Sequence, residues 1–69
     1  MDKHPIRSEW NKYYEFLEAL RKSGATNMWG ATPYLTTMYD ELTEDEATAI
    51  LLSWINHYDE LNKQFGWRD

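Results

Sequence analysis

The chain has no cysteine, so neither a disulfide nor a thiolate metal site is available to it. No stretch approaches the roughly 20 consecutive apolar residues of a membrane span. The opening Met1-Asp2-Lys3-His4-Pro5 lacks the apolar core of a signal peptide. Together these absences predict a cytoplasmic protein. Between Lys22 and Lys63 there is no Lys or Arg at all, while that interval holds Asp40, Glu41, Glu44, Asp45, Glu46, Asp59 and Glu60. A nucleic-acid binder gains affinity from cations that displace counterions, and an anionic membrane attracts the same cations. Over its middle residues this chain offers neither. No run alternates apolar and polar residues like a strand, and no hairpin dipeptide occurs. Glycine is scarce too: there are three in all, and two lie within Gly24–Thr32, where Gly-Ala-Thr is repeated around Asn27-Met28-Trp29.

Aromatic mass is what the chain does have, with four Trp, five Tyr and two Phe in 69 residues. That length makes one domain, 1–69, with a helical core over about 8–62 and tails at 1–7 and 63–69. So small a core gains from self-association, so homodimerisation through the aromatic surface is left open.

The pattern predicts an all-α domain of three helices. The first runs from about Glu9 to Ser23, with Ser8 as N-cap and an apolar stripe of Trp10, Tyr13, Tyr14, Leu17 and Leu20, widened by Phe16. Arg21 and Lys22 suit its last turn, and Gly24 the left-handed position that ends it. The second copy of Gly-Ala-Thr opens a helix: Thr32 is an N-cap before Pro33, and Tyr34, Leu35 and Met38 give a short apolar face ending near Tyr39. Thr43-Glu44-Asp45-Glu46 is a capping box for the third helix. Ala47, Ile50, Leu51, Trp54, Tyr58 and Leu61 carry it to about Asn62, after which it frays into Phe65-Gly66-Trp67. A structured loop, 24–32, joins helices one and two, and a tight turn at Asp40–Leu42 joins two and three.

Chemistry finds little to build on. Ser53, His57 and Glu60 share a helical face in the order nucleophile, base, acid, but one exposed stripe supplies neither an oxyanion hole nor a pocket. His57 and Glu60 alone make half a metal site, and His4 is a poor third ligand. The loop before helix two could offer N–H groups to an anion, yet no Lys or Arg stands near. The expectation is no enzyme, no cofactor and no metal. Helices two and three could form a helix-turn-helix, but Glu44-Asp45-Glu46 would then meet the DNA phosphates.

Two features suit a protein partner instead. Asp40, Glu41, Glu44, Asp45 and Glu46 put five carboxylates into seven positions, either as a solvated, well-capped helix start or as a mimic of nucleic acid for a basic groove. Met28-Trp29 is either a lid over the core or an exposed anchor of the kind that dominates interface hot spots. Leu52 shares the polar face of Thr48, Asn56 and Asp59, where a leucine has no core to reach; beside other exposed apolar groups it would mark a contact patch. The site expected from sequence is therefore Met28, Trp29 and Leu52 with the acids of 40–46. The function expected is a non-enzymatic interaction module, with an acidic nucleic-acid-mimic inhibitor as the alternative and a DNA binder as the second.

The stretch Ser23-Gly24-Ala25-Thr26-Asn27-Met28-Trp29-Gly30-Ala31-Thr32-Pro33-Tyr34-Leu35, with Glu46-Ala47 and then Leu51, Leu52 and Trp54, resembles small uncharacterised helical proteins encoded by bacteriophages and prophages. The resemblance covers about residues 17–55 and leaves 1–8 and 63–69 outside. It implies a bacterial or phage cytoplasmic setting and no particular activity.

Overall fold

Among the described residues the chain forms four α-helices: α1 (Asn11–Ser23), α2 (Thr32–Met38), α3 (Glu44–Asn56) and α4 (Tyr58–Phe65). They are seen in a computed structural model of the chain that describes residues 4–24 and 30–67. No strand occurs among the described residues, so the all-α class stands. The helix count among them is four, not three.

The extra boundary falls at His57, whose φ of −119° and ψ of 24° leave the helical region. Asn56 and His57 are both mediocre helix formers. His57 N–H still donates to the Ser53 carbonyl, and its own carbonyl accepts from Leu61 N–H, so the chain turns without orphaning these backbone groups. The break redirects the C-terminal apolar residues. Leu61 becomes fully buried, and Tyr58 meets α1.

Two helix starts also differ from expectation. Ser8 is no N-cap: it lies in a 3₁₀ turn, Ser8–Trp10, closed by Trp10 N–H on the Arg7 carbonyl at 3.0 Å, and α1 begins only at Asn11. Thr32 is the first residue of α2 rather than its cap, because Ala31 before it is already helical in its angles and fully buried. The capping box of α3 is present in full: Thr43 Oγ1 accepts from Glu46 N–H at 3.1 Å, and the Glu46 carboxylate accepts from Thr43 N–H at 3.2 Å. Gly24 ends α1 and Gly66 ends α4, both at φ 69°, where a side chain would be strained.

α1, α2 and α4 each pack against α3. The core joins Tyr13, Tyr14 and Leu17 of α1, Ala31 and Leu35 at α2, Ala47, Ile50, Leu51 and Trp54 of α3, and Leu61 of α4. Each fully buried leucine or isoleucine among them contributes about 1.5–3 kcal/mol of transfer free energy. The expected N-terminal tail docks in part, with Ile6 against this core.

One polar chain threads it. Arg7 N–H donates to the Tyr14 hydroxyl at 3.1 Å, Tyr14 and Ser53 hydroxyls meet at 2.9 Å, and Ser53 donates to the Pro5 carbonyl at 2.9 Å. Ser53 has one proton and gives it to Pro5, so Tyr14 is the donor of the middle bond.

Candidate interaction surface

All five acids of the run are exposed, but two of them are engaged within the chain and three are not. Glu46 closes the capping box. Glu41 accepts from the Tyr13 hydroxyl at 2.9 Å and pairs with Lys12 Nζ at 3.3 Å. Its own backbone N–H first, and then Tyr13, hold its carboxyl below the usual value. The hydrogen bond to Glu41 in turn raises Lys12. The Lys12 ammonium stands 5.0 Å from the Tyr13 ring and 5.6 Å from Tyr39, two rings in edge contact with each other. Glu41 thus pins the α2–α3 turn to α1. Asp40, Glu44 and Asp45 are exposed and form no ion pair among the described residues. For Glu44 and Asp45, the positive end of the α3 dipole is the remaining local stabiliser.

Beside these acids α2 presents the most exposed apolar side chains of the described residues. Leu35 and Ala31 face the core. Tyr34 and Met38 lie on the outside, 43% and 60% exposed, whereas the sequence had grouped them with Leu35 on one face. A seven-residue helix packed by one leucine cannot bury so wide a stripe. Spacing alone does not separate them, since Met38 is four residues from Tyr34 and three from Leu35.

A shallow groove of about 270 Å³ runs there between α2 and α1, lined by Phe16, Pro33, Tyr34, Thr37 and Met38. A second groove, about 540 Å³, runs between α2 and α3 and is lined by Thr32, Pro33, Thr36, Leu42, Glu44 and Thr48. Pro33 lines both, so the α2 ridge has an apolar trough on one side and a hydroxyl-rich trough with a carboxylate on the other.

Of the other residues expected at a site, Met28 and Trp29 lie outside the described residues. Leu52 is half-buried, with Thr48, Asn56 and Asp59 exposed as their polar face requires. It lies one turn beyond Thr48 on α3, and thus past the groove that Thr48 lines.

The stripe of Ser53, His57 and Glu60 is not a shared exposed face. Ser53 is fully buried and hydrogen-bonded to Tyr14 and Pro5, while His57 Nδ1 lies 3.3 Å from Glu60 Oε1 on the far side of the helix break. No group of three or more His, Cys, Asp or Glu among the described residues is placed to hold a metal ion. No helix among them is long and apolar enough to cross a membrane.

Sequence reasoning passed over one cluster altogether. Glu18, 3% exposed, accepts from Arg21 Nε at 3.0 Å, Arg21 Nη2 at 2.7 Å and the Tyr58 hydroxyl at 3.0 Å, with Lys22 Nζ at 4.0 Å. Burial pushes its carboxyl up, but these donors and charges outweigh burial and hold it below its ordinary value. Arg21 also lies over the Tyr58 ring at 5.4 Å. The cluster ties α1 to α4. Nothing local distinguishes Glu18 from a surface acid, because its partner Tyr58 is 40 residues away.

Comparison of the chain with protein-family models, with curated proteins and with solved structures finds no match.

Proposed function

We propose that this chain is a small, acidic, non-enzymatic protein-interaction module whose contact face is the outside of α2 together with the acidic turn after it. The observation that carries this reading is the pair Tyr34 and Met38, left exposed over an apolar groove while the other large apolar side chains among the described residues are buried or half-buried. Tyrosine and methionine are enriched at interface centres, and a contiguous apolar patch marks a binding site more often than a lone exposed leucine does. Met28 and Trp29 precede α2 in the chain and extend the same proposal. The resemblance of residues 17–55 supports a phage or prophage origin and a place in the bacterial cytoplasm.

The test is capture from bacterial lysate by wild type, by Tyr34→Ser/Met38→Ser and by Trp29→Ala, each verified as folded by circular dichroism. A partner held by wild type and lost by the α2 variant is the expected result. A partner held equally by all three places the contact face elsewhere.

The nucleic-acid-mimic reading draws on Asp40, Glu44 and Asp45, the three acids without an internal partner. It requires capture of a nucleic-acid enzyme at low salt that an Asp40→Lys/Glu44→Lys/Asp45→Lys variant loses, with the capping box of Thr43 and Glu46 left in place. The groove lined by α2 favours the first reading, since a phosphate mimic has no use for Met38.

A further inference from the structure

The partner's chemistry follows from what lines the two troughs, given the reading of α2 as the contact face. α2 is helical, and a helix turns its backbone N–H and C=O groups onto one another except at its ends. The trough of Phe16, Pro33, Tyr34, Thr37 and Met38 therefore offers shape and apolar surface but no backbone ladder. No strand edge exists among the described residues either, so an extended peptide has nothing to pair with. A segment that buries its apolar side chains there must satisfy its own backbone, which an α-helix does.

Charge then selects among helices. Glu44 lines the second trough, which shares Pro33 with the first. Asp45 is its neighbour in the α3 first turn, and Asp40 lies two residues past Met38. On α1, Lys12 is already paired with Glu41. α2, α3 and the turn between them contain no Lys or Arg of their own. A second copy of this chain is a poor occupant: a two-fold interface centred on α2 would set Asp40, Glu44 and Asp45 against their own equivalents.

We propose that the α2 face docks a basic amphipathic helix, whose apolar stripe fills the Phe16–Tyr34–Met38 trough and whose Lys or Arg side chains meet Glu44, Asp45 and Asp40. Met38 adapts its unbranched thioether to different apolar residues, which suits recognition of a helix type rather than one sequence.

The experiment uses the full chain, ¹⁵N-labelled, and three synthetic peptides of about 15 residues, near the length at which an isolated helix begins to hold. One has leucine and lysine in a helical stripe, one the same stripe with glutamate for lysine, and one the leucines and lysines scrambled to remove the stripe. The basic amphipathic peptide is expected to shift the amides of Tyr34, Thr37, Met38 and Glu44, and to bind about tenfold or more tighter than the acidic one at low salt. Raising the salt should weaken it, because exposed charges are screened beyond about 10 Å at 0.1 M. Met38→Ser should abolish the shifts with the acids intact, and Glu44→Gln/Asp45→Asn should remove most of the salt dependence.

Equal binding of the acidic peptide at the same residues overturns the charge requirement and leaves α2 as the contact face. Equal binding of the scrambled peptide overturns the helical requirement. Shifts confined to the acids, or a wild type that sedimentation shows to be a dimer broken by Met38→Ser, also overturn the proposal, the latter in favour of a second copy. If no peptide shifts the α2 face, the proposal fails, while the broader reading still stands or falls on lysate capture by the Tyr34→Ser/Met38→Ser variant.

Discussion

α2 and α4 are the two short helices of this domain, and they treat their apolar residues in opposite ways. Each packs against α3, and each buries one leucine completely, Leu35 in α2 and Leu61 in α4. Beyond that leucine, α4 finds partners for the rest. Phe65 stacks on Trp67 with ring centres 4.9 Å apart, Trp67 lies over Tyr58 at 6.0 Å, and Tyr58 is edge-on to Trp54 at 5.0 Å and hydrogen-bonded to Glu18. On α2, Tyr34 and Met38 lie open. The difference does not come from hydrophobicity, since α2 carries no charged residue and α4 carries three, Asp59, Glu60 and Lys63. It comes from what the chain places around them. The turn at Gly66 brings Trp67 back over α4, whereas the acidic turn after α2 carries its chain on to α3. A domain with this many aromatics can cover one end with them and leave the other end to be covered by something else.

The largest effects should show that the inner faces of the two helices are equivalent. Leu35→Ala and Leu61→Ala should each cost about 2–5 kcal/mol, because both residues are fully buried. Urea unfolding followed by circular dichroism measures this. A loss below about 1 kcal/mol at either residue breaks the symmetry on which the comparison rests.

A smaller effect should set α4 apart. Glu18→Gln should cost about 1–3 kcal/mol at neutral pH, since it removes a charged acceptor from Arg21 and Tyr58. The Glu18 carboxyl titrates below its ordinary value of 4.5, so its contribution is present above that pH and is lost as pH falls through the depressed folded-state value. The stability gap between wild type and variant should therefore be full at pH 7 and shrink in acid. A gap independent of pH would mean that the ionised carboxylate is not what holds α4 to α1.

The smallest effect belongs to the outside of α2. Tyr34→Ser and Met38→Ser should each change stability by no more than about 0.5 kcal/mol, the usual range for exposed positions away from buried contacts. A larger loss would show that these side chains serve the fold, and would remove the reason for reading them as a contact face.

Much of this architecture is written locally. The capping box at Thr43–Glu46, the left-handed Gly24 and the three-and-four spacing of Tyr13, Tyr14 and Leu17 all follow from residues within a turn or two of each other, and they appear as read. The break at His57 does not, because the apolar period of Trp54, Tyr58 and Leu61 runs straight across it. The weak helix propensity of Asn56 and His57 permits it, and the pull of Tyr58 toward Glu18 and the burial of Leu61 give it a reason. Ser53 and Glu18 illustrate the same limit from the polar side. Each looks like a surface residue in sequence, and each is buried because a partner from a distant segment satisfies it.

By itself the sequence determined the all-α class, where α1 and α2 end to within a residue, the capped start of α3 and the acidic, cation-free middle, because helix propensity, capping and charge are properties of neighbours along the chain. Tertiary structure decided which of five clustered carboxylates are engaged and which stay open. It also decided that a continuous apolar pattern would bend at His57, and that Leu35 would face in while Tyr34 and Met38 face out. Those outcomes depend on which surfaces meet, and surfaces 28 or 40 residues apart in the chain meet only once it has folded.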